Sequence, residues 1–284
     1  MKHAYLIITH NEFEVLNKLL QAIDDERNDI YIHLDRKVKQ IPLLHTSRAG
    51  LYVLNNRIDV HWGHISQIQA EYALFEAAQK KERYRYYHLI SGTHLPLYSQ
   101  DYIHRFFNGV QNREVLADMP TSDYEINMKL QRYNFFMKTY FHPCSFVKRS
   151  SQLLWVAALK IQRILHISRY KNQSFTKASN WVSITDNCVD FLLSMKKEIL
   201  KKYRFSMCGD EFFIPSTLES SSVKWDVLFC DKLLKVDIGK SKSHFYHLED
   251  YEDLINSHCL FARKFGREDM AVVDKILDHI KSMQ

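Results

Sequence analysis

Two short segments carry residues whose types and spacing could do chemistry. In Cys208-Gly209-Asp210-Glu211-Phe212-Phe213, adjacent carboxylates follow a glycine and precede an apolar run of helical character. They stand at a predicted helix start, where negative charge complements the helix dipole; that is the plain structural reading. A carboxylate flanked by Cys and two Phe is also partly desolvated, which raises its pKa toward the range useful to a general base. In Leu260-Phe261-Ala262-Arg263-Lys264-Phe265, two cations stand inside an apolar, aromatic frame. Charges go inside only when paired. Either a bound anion such as a diphosphate satisfies them, or the segment is a surface helix whose basic stems snorkel to water.

Other chemistries find less support. No G-x-G-x-x-G, Walker A or H-E-x-x-H pattern occurs, so the dinucleotide, P-loop and zinc-protease readings have no motif. The histidine pairs His61/His64 and His244/His247 are isolated, and neither is expected to hold a metal. A glycoside hydrolase needs two facing carboxylates. Asp210 and Glu211 are neighbours, and neighbours on a helix diverge by about 100°.

The elements that must position these residues alternate in type. Ala4–Thr9, Ile30–Leu34, Leu51–Leu54 and Tyr86–Ile90 read as strands, and Glu12–Ile23 and Ser66–Ala78 as helices, the latter with Ser66 as candidate cap. This order predicts an α/β fold with a mostly parallel central sheet flanked by helices. Ligands of such sheets bind beyond the carboxyl ends of the strands, where Thr9-His10, Asp35 and Ser91-Gly92 fall. The middle of the chain is a helical insertion. Aromatic and basic residues crowd Tyr133–Phe146, and Ser151–Ile167 reads as a basic amphipathic helix. The last third returns to strands at Asn180–Thr185 and Trp225–Phe229, with a helix running through Leu200 between them.

Composition narrows the class. With 284 residues, 46% hydrophobic, and few Gly and Pro, the chain can bury a sizeable core and is not a low-complexity sequence. The +6 formal charge suits anionic partners such as nucleotide phosphates or an acidic membrane surface. Five dispersed cysteines without a C-x-x-C pair read as free thiols of a reducing compartment. No leader or membrane-spanning run is expected, which points to the cytoplasm.

AYLIITHN, IYIHLDRK, VHWGHISQIQAE, YYHLISGTHLPL, SNWVSIT, CGDEFF and LFARKF, in that order, make the chain resemble the core-2/I-branching N-acetylglucosaminyltransferase family, glycosyltransferase family 14, which includes xylosyltransferases. The resemblance implies a GT-A-like nucleotide-sugar-binding fold and an inverting mechanism. It also implies that no cofactor or metal is required; this sequence contains no Asp-x-Asp triplet. Glu211 matches the catalytic base. Thr9, His10, Asp35 and Trp62 match the donor side, Asp35 at the uridine. Lys264 matches a cation at the diphosphate. A second cation has no clear counterpart, and Lys242 is assigned to it. Asp210 and Trp181 are placed with the acceptor. The chain is read as a single catalytic domain over 1–284: a nucleotide-binding part, 1–117; the helical aromatic-basic insertion, 118–177; and an acceptor and catalytic part with C-terminal helices, 178–284.

The expected substrates are a UDP-sugar, with GlcNAc or xylose as the sugar, and a glycan or glycolipid acceptor of bacterial surface polysaccharide synthesis. A glycan- or nucleic-acid-binding module without catalysis is the non-enzymatic alternative, and no nucleic-acid motif supports it. Two readings stand for the middle helix. Leu153, Leu154, Ala157, Ile161, Ile164 and Leu165 could pack on the sheet. Alternatively, with Lys160, Arg163, Arg169 and Lys171, and with Trp155 at headgroup level, they could dock the enzyme peripherally on an anionic membrane.

Overall fold

Apolar runs in this chain are short and nearly unbroken, as strands covered on both faces require. The computed structural model describes residues 1–237 and 244–283. Its strands are β1 (His3–Thr9), β2 (Asn28–Leu34), β3 (Gly50–Val53), β4 (Tyr86–Ser91), β5 (His94–Pro96), β6 (Glu114–Leu116), β7 (Ser183–Thr185), β8 (Val227–Phe229), β9 (Leu234–Val236) and β10 (Phe261–Arg263). Its helices are α1 (Phe13–Ala22), α2 (Ser66–Lys81), α3 (Gln100–Gly109), α4 (Asp123–Lys129), α5 (Ser145–Ile164), α6 (Asp186–Ser194), α7 (Lys196–Tyr203), α8 (Phe213–Ser220), α9 (Tyr251–Asn256) and α10 (Met270–Ser282).

Seven strands form the main sheet in the order β3-β2-β1-β4-β7-β6-β8. Only β7 runs against its neighbours, β4 and β6, so the sheet is mostly parallel. With the helices on both of its faces this is an α/β architecture with a mostly parallel central sheet, as the alternating elements predict. A small sheet, β5-β10-β9, covers one end. Side chains of β1 alternate between faces: Tyr5 and Ile7 join α1 and α10 in one core, while Ala4 and Leu6 join α2 in the other. Leu16 and Leu19 fill the first core and Ile68, Tyr72 and Phe75 the second.

Several expectations need correction. Ser66 does not cap α2; Ile65 precedes that helix without a side-chain cap, and Ser66 Oγ instead accepts the His61 N–H. The helix expected to run through Leu200 is broken at Met195 into α6 and α7. LFARKF is not a surface helix: Phe261–Arg263 is strand β10, with Phe261 and Ala262 buried. The middle helix begins earlier than expected, at Ser145, and its apolar stripe is not core, since Leu153, Leu154, Ile161, Ile164 and Leu165 are all exposed. Trp155 turns inward, donating Nε1–H to Asn134 Oδ1 at 2.9 Å, so it is no headgroup anchor. No described helix is long and apolar enough to cross a membrane.

Candidate active site

A pinned turn before α8 aims the acidic pair. Cys208 takes a left-handed backbone, φ 51°, a conformation that strains a non-glycine residue. Its N–H is held by the Gly63 carbonyl at 2.9 Å. Gly209 is needed for close approach: a β-carbon there would lie 2.9 Å from Tyr203 Cδ1. One 3-10 turn over Gly209–Glu211 follows, and its two carboxylates leave in different directions.

Glu211 joins an ion-pair square. Its Oε2 lies 3.1 Å from Lys129 Nζ and 3.6 Å from Lys177 Nζ, and the same ammoniums reach Glu125 Oε1 at 2.7 and 2.8 Å. Both ammoniums also stand about 6 Å above the Phe212 ring, within cation–π range. The lysine side chains are 13% and 8% exposed against 24% for Glu211, so the carboxylate is the more open partner. Burial pulls the Lys129 pKa down, but Cys208, Glu211 and Glu125 outweigh it and the net shift is upward. Burial likewise opposes the Glu125 charge, yet the two ammoniums hold its pKa at about 2.

Asp210 points the other way. It is buried, its Oδ2 accepts from Gln67 Nε2 at 3.1 Å, and its Oδ1 has no partner among the described residues. Burial, reinforced by the Glu211 charge, pushes its carboxyl up to about 7. One turn along α2 from Gln67, Glu71 is fully buried with neither carboxyl oxygen hydrogen-bonded. Burial first, and then the nearby Asp210 charge, drive its pKa well above the usual carboxylate range. Asp210 therefore sits behind Glu211, against α2, and not on a face that an acceptor could approach.

A second group gathers where β1, β2 and β4 end. The Asp35 N–H donates to the Thr9 carbonyl at 2.9 Å. The buried Asp35 carboxylate accepts from Lys37 N, Lys37 Nζ and Val60 N. Gly92 lets β4 approach β1, because a β-carbon there would lie 2.4 Å from Thr9 Oγ1. The loop after β10 closes the corner: Phe265 N–H donates to the Thr93 carbonyl, and Arg267 N–H to Glu12 Oε2. Lys264 Nζ lies over the Phe245 ring at 4.3 Å. His10 keeps an edge open to solvent while the protein around it desolvates the ring and lowers its pKa; Asp35 opposes that shift, and Lys264 and Lys37 add to it. Thr9, His10, Asp35 and Lys264 thus share one electrostatic neighbourhood.

The loop between β3 and α2 links both groups. Lys37 pairs with Asp59, Asp59 with His61, and Gly63 holds Cys208. Trp62 on this loop is half exposed and meets Tyr140 and Phe141, which places it on an aromatic shelf of the insertion. Trp181 is half-buried, under the Arg263 guanidinium at 5.3 Å and against His94 at 5.0 Å, beside a cavity of about 10 Å³, room for one water at most. Lys242 lies outside the described residues. The histidine pairs are engaged locally, His61 by Asp59, His64 by Ser66, His244 by Asp250 and His247 by Asp269. No group of three His, Cys, Asp or Glu suited to a metal occurs among the described residues.

Sequence reasoning missed Glu125, Lys129, Lys177, Gln67 and Glu71. Two signals were present: Glu125 and Lys129 have ion-pair spacing on a helix, and Glu71 shares the buried face of α2 with Ile68 and Phe75.

A family model described as Core-2/I-Branching enzyme matches residues 3–233. The chain belongs to the core-2/I-branching enzyme family. It is accordingly a glycosyltransferase, using a sugar donor and a glycan acceptor. The match spans Thr9, His10, Asp35, Trp62, Trp181, Asp210 and Glu211 and stops before Lys264. The crystal structure of mouse Xyloside xylosyltransferase 1, apo form, is similar to this core-2/I-branching enzyme over 92% of this chain and 96% of that one, at 9% identity and a TM-score of 0.41. That likeness is too distant to inform the site. No curated protein matches the sequence.

Proposed function

We propose that the chain is an inverting, metal-independent glycosyltransferase that moves GlcNAc or xylose from its UDP-sugar to a hydroxyl of a glycan or glycolipid in bacterial surface polysaccharide synthesis. In this reading residues 1–284 are one catalytic domain. It works in the cytoplasm, in peripheral contact with an anionic membrane.

The observation that carries the proposal is the placement of Glu211, a part-exposed carboxylate on a pinned turn among buried, paired groups. The acceptor oxygen attacks the anomeric carbon from the face opposite UDP and loses its proton to Glu211 as the bond to the diphosphate oxygen breaks. Protonating Glu211 discharges one corner of the square. Lys129 and Lys177 nevertheless remain paired through Glu125, so no buried charge is orphaned. Asp210 ties the turn to α2 through Gln67. Charge developing on the departing diphosphate meets Lys264, with Lys242 as second cation. Asp35 takes the uridine, Thr9, His10 and Trp62 line the donor, and Trp181 lies toward the acceptor.

Ligands of the folded state raise apparent stability. A thermal-shift screen across UDP, GDP, CMP and dTDP sugars in EDTA should therefore show UDP compounds raising Tm and the others leaving it unchanged. A shift that appears only with added Mn²⁺ or Mg²⁺, or with another nucleotide, overturns the assignment.

A further inference from the structure

Helix α5 is built inside out. Its polar side chains face the protein: Ser151 Oγ donates to Thr139 Oγ1, Gln152 Nε2 to the Tyr140 carbonyl, and Gln162 Nε2 to the Tyr133 carbonyl. Ser151 and Gln162 are the buried residues of its twenty. The opposite face is apolar and open. Phe146, Leu153 and Ile164 are 79%, 71% and 75% exposed and fall within about 20° of one another around the helix axis. Arg149, Lys160 and Arg163 border this line on one side, and the helix carries no Asp or Glu. A soluble helix normally buries its apolar stripe. This one spends its hydrogen-bonding residues on the fold and leaves the stripe outside.

The surrounding sequence is polarised in the same sense. Residues 126–185 contain ten Lys and Arg and no Asp or Glu, whereas the rest of the +6 chain nets −4. Part of that charge serves the interior, in Lys129, Lys177 and Arg169. Of the four cations of α5, Arg149, Lys160 and Arg163 border the open face, while Lys148 falls on the opposite side of the helix, over the Phe141 ring.

We infer that α5 lies flat on a membrane rich in anionic lipid, with Phe146, Leu153 and Ile164 entering the acyl boundary and Arg149, Lys160 and Arg163 at the phosphates. Both features are required by such a surface. A second copy of the chain would satisfy the apolar stripe but set like charges against each other across a symmetric interface. Nucleic acid would satisfy the charges and leave Leu153 and Ile164 in water. At twenty residues the helix is about 30 Å long, yet it is not apolar enough to span a bilayer, so it rests on the surface. This inference rests on the membrane contact of the proposed function and not on its chemistry. A membrane-held enzyme shares a surface with a lipid-linked acceptor.

The full chain should be sedimented with phosphatidylglycerol vesicles and, separately, phosphatidylcholine vesicles. Binding is expected to the first only, with release in moderate salt. Lys160→Glu with Arg163→Glu should weaken it by roughly 100-fold or more. Leu153→Asp with Ile164→Asp should abolish it. Neither pair should lower Tm, because all four side chains are exposed. Wild type that ignores phosphatidylglycerol, binds both lipids equally, or instead dimerises through this face overturns docking, as does loss of Tm in both variant pairs. The UDP-induced Tm shift, read in the same samples, separates the two readings. Nucleotide response without vesicle binding removes docking alone; vesicle binding without any nucleotide response removes UDP-sugar transfer alone.

Discussion

At the scale of single residues, the proposed transfer turns on a carboxylate that must be ionised, aimed and reachable. Glu211→Gln keeps the shape and cannot take a proton, so turnover should fall on the order of 10²-fold or more, while UDP affinity by calorimetry stays near wild type. Normal turnover would remove Glu211 from the role. Lys264→Ala should weaken UDP binding by about 1.5–3 kcal/mol, the usual worth of a charge-assisted contact, and leave uridine binding intact; equal losses for both would contradict a diphosphate role. Glu71 gives a prediction of opposite sign. Its folded pKa lies well above its unfolded value, so it stays neutral in the fold while the unfolded chain ionises. That costs stability increasingly as pH rises above about 4.5. Glu71→Gln should therefore raise Tm at pH 8 and change it little near pH 4; a loss at pH 8 would mean that the carboxyl makes a contact the structure does not show.

Glu211, Asp35 and Lys264 were legible as residues because short motifs name them. The partners of Glu211 were not, because Lys129 and Lys177 reach it from positions 82 and 34 residues away in sequence. No local pattern encodes such a contact.

Among the secondary-structure elements, β1, β2 and β4 were readable because strands covered on both faces leave continuous apolar runs. Phe261–Arg263 was not, since a three-residue strand shows no period. Periodicity found the α5 stripe but could not say which way it faced; Ser151, Gln152 and Gln162, whose bonds turn the stripe outward, are unremarkable in sequence. Another element-level device joins β1, β4 and α3. His88 links Ser183 Oγ at 2.7 Å to His3 at 2.9 Å, the His3 and His104 rings lie 4.0 Å apart at a 32° tilt, and His104 meets Asn28 at 2.9 Å. Burial lowers all three, His88 to about 3 and His104 to about 4. The unfolded chain binds protons below about 6.5 that the fold refuses, so this contribution is complete above that pH and is lost as pH falls toward 3. From pH 7 to pH 4.5 each ring should subtract up to about 1.4 kcal/mol per pH unit, while Glu71 and Asp210, both raised in the fold, act in the opposite sense. NMR titration of the folded protein should therefore find His3 and His88 still neutral at pH 4.5; protonation of either ring near the ordinary 6.5 would contradict this.

The whole molecule joins two groups of residues through one loop. Strand ends collect Thr9, His10, Asp35 and Lys264, the turn before α8 presents Glu211, and residues 59–63 tie the groups together. The parallel sheet was foreseeable from alternating elements, and so was the gathering of Thr9, Asp35 and Gly92 at its carboxyl edge. That β10 would return to this edge and bring Lys264 was not, because Lys264 and His10 are joined only by the tertiary fold. The reaction proposed for this molecule is inverting transfer from a UDP-sugar without a metal. Its most direct test is NMR of the product formed from UDP-α-GlcNAc or UDP-α-xylose and a glycan acceptor in EDTA. A β-linked anomeric signal should grow in step with free UDP; an α-linked product, or transfer that starts only when a divalent metal is restored, would rule out inverting, metal-free transfer.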